Sequence, residues 1–150
     1  MSDDARGAAL AALGPEVMRL AARRSTSYEG SVLDQSAFRI LWRLVEDGPK
    51  SLTDLADELQ LERSTVSRQV SAAVTRGLVE RTADEDLRVR TVRPTAAGLA
   101  AYRNDIALRA AVWGAAVAEL GVDRARALAA ELRSFNDALD RAHGHGAPEG

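Results

Sequence analysis

The chain has 150 residues, a formal net charge of −2, 46% hydrophobic and 4% aromatic residues, and no cysteine. The lack of cysteine excludes disulfides, thiolate metal sites and a cysteine-based oxidation switch. There is no run of about eighteen apolar residues, which excludes a transmembrane helix, and the acidic first residues do not resemble a signal peptide. We therefore expect a cytoplasmic protein of one domain, with a core of Leu, Ala and Val built from packed helices.

The chain begins with a segment rich in Ala, Leu and Arg. We expect residues 1–7 to be disordered and a helix to run from about Ala8 to Tyr28, with a restart or bend at Gly14-Pro15. Its apolar residues recur at helical spacing in one stripe: Leu10, Leu13, Val17, Leu20 and Ala21. Taken alone, this stripe indicates core packing.

A second helix is predicted from Gln35 to Glu46. Asp34 is a good N-cap, and Gly48-Pro49 ends the helix. Its predicted core face consists of Ala37, Phe38, Ile40, Leu41, Leu44 and Val45. Lys50 to Leu52 could then add a short strand.

The next stretch predicts two helices joined by a tight connection. Ser51 caps a helix from Leu52 to Leu59, whose apolar face is formed by Leu52, Leu55, Ala56 and Leu59. After Gln60–Glu62, a second helix runs from about Arg63 to Arg76 and ends at Gly77, a natural left-handed cap. Its apolar face is formed by Val66, Val70, Ala73 and Val74.

The opposite face of that second helix is polar and rich in hydrogen-bond donors. It carries Arg63, Ser64, Thr65, Ser67, Arg68, Gln69 and Ser71. Alone, such a face indicates a solvated surface. After a short helix and a tight turn, however, it is typical of a helix-turn-helix, in which donors reach base edges and small hydroxyl residues let the backbone approach phosphate.

Two alternating segments follow, Leu78 to Thr82 and Val89 to Arg93, and they predict a hairpin with a polar tip at Ala83–Arg88. We expect Arg88 to reach the DNA minor groove and Arg90 to contact the flanking DNA backbone. Asp86 is expected to pair with an arginine and so shape the tip of the hairpin. An ordinary solvated loop arginine is the alternative for Arg88. Residues 62–93 carry seven arginines against five acidic residues, so a basic face is possible on a slightly acidic protein.

The last third predicts two long helices. Thr95 caps one that runs to about Leu120, where Gly121 ends it, and Asp123 caps another that runs to about Ala142. Their apolar stripes are too extensive for so small a domain to cover, which favours a two-fold dimer on palindromic DNA. The remaining residues, HGHGAPEG, are expected to be a flexible tail, and weak metal binding by His143 and His145 is the less favoured alternative.

The segments RSTVSRQVSAAVTRGLVER and DLRVRTVRPTAAG resemble the MarR family of winged-helix regulators. Asp86-Leu87-Arg88 matches the family's Asp-x-Arg wing motif, and Pro94-Thr95-Ala96-Ala97-Gly98 matches its Leu-Thr-x-x-Gly exit into the next helix. The resemblance extends from about Leu10 to Arg141. The chain departs from the family at Gln60–Glu62, where Gly, an apolar residue and a Ser or Thr cap are usual.

This resemblance implies a mainly α (α+β) fold, a winged helix-turn-helix with N- and C-terminal dimerisation helices and a small β-wing. We expect a single domain over 1–150, with dimerisation helices at 8–30 and 96–143 and a DNA-binding region at 34–95. The implied function is that of a homodimeric, sequence-specific transcription regulator, in most family members a repressor. The predicted DNA contacts are Arg63, Ser64, Thr65, Ser67, Arg68, Gln69, Arg88 and Arg90.

Family members often bind small aromatic or amphipathic ligands between the dimer helices and the DNA-binding region. By resemblance, such a ligand would contact Tyr28, Phe38, Trp42 and Trp113, although core aromatics are the favoured interpretation of these residues. No cofactor, metal site or membrane contact is expected. A winged-helix protein–protein interaction module that does not bind DNA is the alternative function. An enzyme is disfavoured, because the sequence shows no catalytic set of side chains.

Overall fold

The computed structural model describes residues 2–23, 28–84 and 89–144, and within these ranges the chain is mainly helical with one small sheet. The elements are α1 (Asp3–Ala22), α2 (Gln35–Asp47), α3 (Leu52–Leu59), α4 (Arg63–Thr75), β1 (Val79–Asp84), β2 (Val89–Pro94), α5 (Ala96–Leu120) and α6 (Val122–Gly144). This order confirms the predicted winged helix with flanking helices. None of the helices described is long and apolar enough to cross a membrane.

The chain divides into two compact units, Met1–Leu108 and Arg109–Gly150, with the boundary inside α5. The first unit contains the hydrophobic core. Its most deeply buried large side chains come from α2, α3, α4 and the two strands: Ile40, Leu41, Leu55, Val66, Val70, Val79 and Val92. Each such side chain contributes about 1.5–3 kcal/mol through removal from water, so this cluster holds the elements together.

The apolar faces predicted for α2, α3 and α4 form this core. Phe38, Leu52 and Val74 are partly buried and pack against it. Val45 is the exception, since its side chain remains 38% exposed. It follows the buried Leu44 by one residue, which in a helix turns it about 100° away from the core.

Side-chain caps define where α2 and α3 begin. The Asp34 side chain accepts a hydrogen bond from the backbone N–H of Ala37 at 2.9 Å, and Ser51 Oγ accepts one from Asp54 at 3.1 Å. The connection to α4 turns at Gln60, which has the left-handed φ of 53°. The helix-turn-helix predicted from these residues is therefore confirmed.

The two strands pair antiparallel from Val79↔Pro94 to Asp84↔Val89. The hairpin is longer than predicted, because Ala83 and Asp84, expected in the tip, continue β1 as partners of Arg90 and Val89. The short strand expected near Lys50 is a single bridge, in which Lys50 and Val92 exchange backbone hydrogen bonds of 3.2 and 2.7 Å.

The ends of α1 and α6 differ from expectation. α1 begins at Asp3 behind the N-cap Ser2, runs through Pro15 and ends at Ala22. Residues 3–7 are therefore helical, because Ser2 with an acidic first turn is a favourable helix start. α6 begins at Val122, so Asp123 lies in its first turn and is not the cap. His143 and Gly144 lie in the last turn of α6, whereas residues 145–150 of the expected tail, including His145, lie outside the described residues.

The start of α5 lies directly against the end of the helix-turn-helix. Thr95 Oγ1 accepts a hydrogen bond from the Gly98 N–H at 3.0 Å and donates one to the Gly77 carbonyl. A Cβ placed on Gly98 would lie 1.8 Å from the carbonyl oxygen of Leu78. Only glycine fits at this approach of two backbones.

We predict that Gly98→Ala lowers the free energy of unfolding by roughly 1–3 kcal/mol, because the backbone must shift to admit the methyl group. Gly7→Ala in α1 is the matched control, since nothing lies within 4 Å of its Cβ position. This control should be neutral or stabilising by up to about 1 kcal/mol. Urea unfolding of both variants measures the difference, and equal stability of the two would contradict the packing argument.

Candidate nucleic-acid interface

The outward face of α4 is mostly polar. Arg63, Ser64, Arg68 and Ser71 are exposed, and Thr65, Ser67 and Gln69 are partly buried. The opposite face is sealed into the core through Val66, Val70 and Ala73. The structure thus brings together on one side of one helix all the contacts predicted within α4. Arg68 Nη2 lies 3.4 Å from Thr65 Oγ1, which places the guanidinium along the helix surface.

The N-terminus of α4 has no side-chain cap. Glu62 occupies the N-cap position and makes no capping hydrogen bond through its side chain, although its carbonyl accepts from Val66 N–H at 3.1 Å. The departure from the usual Ser or Thr therefore leaves the helix start at Arg63, as expected. The first N–H groups of a helix without such a cap can bind an anion such as phosphate.

The wing is attached to α4 by a hydrogen bond. Arg81 Nη2 of β1 donates to Ser71 Oγ at 2.8 Å, and within the wing Arg93 Nε donates to Glu80 at 2.6 Å. Arg90 is exposed on β2. Arg88 and Asp86, predicted at the wing tip, lie outside the described residues.

Sequence reasoning missed one ion pair that bears on this face. Arg76, at the C-terminus of α4, donates to Asp34 Oδ2 at 2.6 Å and to the Val32 carbonyl at 3.0 Å. A depression of about 300 Å³ lies between α4 and the start of α2 and is lined by Asp34, Ser36, Ala37, Arg68, Gln69, Ala72, Ala73 and Arg76. No local signal could have revealed the pair, because its partners are separated by 42 positions.

A second ionic cluster holds α3 on α2. Glu58 accepts hydrogen bonds from Lys50 Nζ at 2.6 Å and from Arg43 Nε at 3.0 Å. These bonds, the Lys50 bond first, lower the pKa of Glu58 below its ordinary value. The same bond raises the pKa of Lys50. The cluster supports the helix that precedes the turn into α4.

The aromatic residues predicted to meet a ligand have separate surroundings. Phe38 packs against the buried Tyr102, with ring centroids 5.5 Å apart. Trp42 is exposed, with the Arg43 guanidinium 5.1 Å from its ring centroid. Tyr28 is partly buried. Trp113 is exposed and belongs to the unit Arg109–Gly150, described by itself.

A family model describes the region that contains these elements. Residues 33–89 match the MarR family. The similarity to the MarR family thus covers 57 of the 150 residues of the chain. This match spans α2, the helix-turn-helix and the first strand of the wing, and no curated protein matches the chain in sequence.

Solved MarR-family structures share the fold of the chain. A MarR family protein from Bacillus stearothermophilus is 18% identical, with a TM-score of 0.78 over 93% of this chain and 99% of that one. A mutant MarR from E. coli, complexed with operator DNA, is 17% identical, with a TM-score of 0.69 over 90% and 99%. The PcaV transcriptional regulator from Streptomyces coelicolor, in complex with its natural ligand, is 23% identical, with a TM-score of 0.67 over 84% and 92%.

We predict that Glu58→Gln destabilises the protein at neutral pH but not at acidic pH. The lowered pKa means that ionised Glu58 stabilises the fold above the unfolded-state value of about 4.5, and that this stabilisation is lost as the pH falls through the lower folded-state value. At pH 7 the loss should be about 0.5–1 kcal/mol, because the pair is partly exposed.

Unfolding by urea across a pH series measures this effect. Glu46→Gln on the exposed surface of α2 serves as the control and should change stability little at any pH. A constant difference between wild type and Glu58→Gln from neutral to acidic pH would contradict the assignment.

Proposed function

We propose that the chain is a homodimeric repressor that binds palindromic operator DNA and is released by a small aromatic or amphipathic ligand. The observation that carries this proposal is the polar outer face of α4, which is held in place by the burial of its opposite face. A face of guanidinium, amide and hydroxyl groups with no carboxylate suits the major groove, where bases present both acceptors and donors. The E. coli MarR structure with operator DNA supports the same use of the fold.

Within α4, different residues have different tasks in this proposal. Arg68 can read guanine through two hydrogen bonds and Gln69 can read adenine. Arg63, Ser64, Thr65 and Ser67 contact phosphates and base edges near the helix N-terminus. Arg90 contacts the flanking backbone. The proposed roles of Arg88 in the minor groove and of Asp86 in shaping the wing tip rest on the sequence alone.

Dimerisation is proposed from the exposed apolar side chains of the flanking helices. Neither α1 nor α6 contains a buried residue, and α1 exposes Leu10 and Met18 while α6 exposes Leu128 and Leu139. Patches of this kind mark interaction surfaces, and a two-fold dimer closes them with one repeated contact. A two-fold dimer also matches two half-sites on palindromic DNA.

We predict that Arg68→Ala weakens operator binding and relaxes base preference, whereas Arg90→Ala weakens binding to all duplexes alike. Losing a bidentate base contact costs about 1–3 kcal/mol of discrimination at one position. Losing a phosphate contact lowers the magnitude of the slope of the logarithm of the binding constant against the logarithm of salt concentration by about one. Selection from random duplexes gives the operator, and fluorescence anisotropy at several salt concentrations gives the affinities.

Arg103→Ala is the matched control, since Arg103 is an exposed arginine that belongs to α5 and not to α4 or the wing. It should leave both affinity and base preference unchanged. A selected site without two-fold symmetry would contradict the dimer. Failure to bind any duplex at low salt would contradict DNA binding itself and favour a protein–protein interaction module.

Release by a ligand is proposed for the aromatic side chains near the DNA-binding region. PcaV, of the same fold, was solved with its natural ligand. In this chain the proposal is confined to Tyr28, Phe38 and Trp42, which share the unit Met1–Leu108, while Trp113 stays a prediction from sequence.

We predict that an aromatic carboxylic acid quenches the fluorescence of Trp42 and lowers operator affinity over the same concentration range. A Trp113→Phe background makes Trp42 the sole tryptophan, since the chain has two. Trp42→Phe in wild type should remove the saturable response. A flat titration across a panel of aromatic acids would overturn the ligand proposal and leave the DNA proposal intact.

A further inference from the structure

The segment Val32–Asp34, just before α2, is fixed by α5. Asp105 is 2% exposed, and its two carboxylate oxygens accept the backbone N–H groups of Val32 at 2.9 Å and Leu33 at 3.0 Å. Asn104 donates from Nδ2 both to Asp105 Oδ1 and to the Gly30 carbonyl, each at 3.0 Å. A buried carboxylate with charge-assisted bonds to two N–H groups holds this segment rigidly.

The same segment is bonded to the end of α4. Arg76 donates from Nη1 to Asp34 Oδ2 at 2.6 Å and from Nη2 to the Val32 carbonyl at 3.0 Å. The other oxygen of Asp34 caps α2 by accepting from Ala37. The Val32 N–H therefore donates to Asp105 of α5, and the Val32 carbonyl accepts from Arg76 at the end of α4. The planar Arg76 guanidinium makes its two bonds in one fixed direction.

Directional bonds matter for α4 because its other attachments are largely apolar. Val66, Val70 and Ala73 pack into the core, and apolar contact is not directional. Glu62 supplies no side-chain cap at the N-terminus, and the Ser71–Arg81 bond lies towards the wing. The Arg76 fork sets the C-terminal end of the helix, and small rotations there displace the tips of long side chains such as Arg68.

We propose that Arg76 is a positioning residue for DNA binding, which orients α4 by gripping Val32 and Asp34 and does not itself bind phosphate. This inference rests on the proposed DNA-binding function. Two terminal nitrogens of the guanidinium are engaged within the protein, and the charge is balanced by Asp34. A direct phosphate contact would require the arginine to give up these bonds.

Positioning of α4 by Arg76 and direct binding of phosphate by Arg76 predict opposite effects of Asp34→Asn. Asparagine caps a helix as well as aspartate does, so α2 should be retained while the charged partner of Arg76 is lost. If Arg76 positions α4, Asp34→Asn weakens binding to the selected operator about tenfold, the coupling expected for residues in one polar network. If Arg76 binds phosphate, freeing it and removing a negative charge leaves affinity unchanged or improves it.

Arg76→Lys tests the same point with the charge retained. A lysine ammonium cannot reproduce the two-bond fork, so positioning predicts a loss similar to that of Asp34→Asn, and the double variant should lose no more than either single one. Binding to unrelated duplex should stay at the wild-type level, because orientation affects base contacts more than the general attraction to phosphates. Asp57→Asn, on the exposed face of α3, controls for the loss of one negative charge.

Anisotropy titrations of these four variants and wild type, on operator and unrelated duplex, decide the question. Wild-type or improved operator affinity of Asp34→Asn, whatever the result for Arg76→Lys, would overturn the inference while leaving the proposed function standing. Equal losses on operator and unrelated duplex, accompanied by a lower melting temperature, would show a merely structural role and also overturn it. If wild type binds no duplex, the proposed function fails first.

Discussion

The structure depends on the burial of one side of α4. Val66 and Val70 are fully buried against a core to which α2, α3 and both strands contribute, and this fixes which side of the helix meets solvent. The polar side chains of α4 therefore lie outside the core without any polar interaction having to select that side. Burying apolar area provides most of the stability, whereas hydrogen bonds set finer orientation.

Polar bonds then limit the freedom that apolar packing leaves. The bonds Ser71–Arg81, Arg76–Asp34 and the Glu58 cluster connect α4 or its neighbour α3 to the wing, to the start of α2 and to Lys50. Each joins residues from different elements of the fold. Because these bonds lie at the surface, each is individually weak, and their value lies in geometry more than in stability.

Much of this arrangement could be predicted from the sequence, because helix periodicity, caps and turn residues are local signals. Ser51, Asp34 and Thr95 cap helices as expected, and the apolar faces of α3 and α4 follow the 3.6-residue period. The identification of the hairpin as a DNA-contacting wing is supported by the resemblance to the MarR family. The match of residues 33–89 to that family confirms the resemblance for this segment.

What could not be predicted depends on contacts between distant segments or on competing local signals. Arg76 looked like one more basic residue, because nothing near it in sequence marks Asp34 or Val32 as partners. Asp105 lies in a helix that is predicted from its apolar stripe, and the burial of Asp105 depends on a loop more than seventy positions away. At Pro15 the helix-forming alanines and leucines on either side outweigh one missing hydrogen bond.

The contact between Gly98 and Leu78 affects which parts of the fold unfold together. A Cβ on Gly98 would lie 1.8 Å from the Leu78 carbonyl oxygen, so the two backbones meet with no side chain between them at the junction of Leu78 and α5. Amide protons along this junction should therefore exchange with solvent only when the whole winged helix unfolds. The first turn of α5 thus belongs to the same cooperative unit as the winged helix.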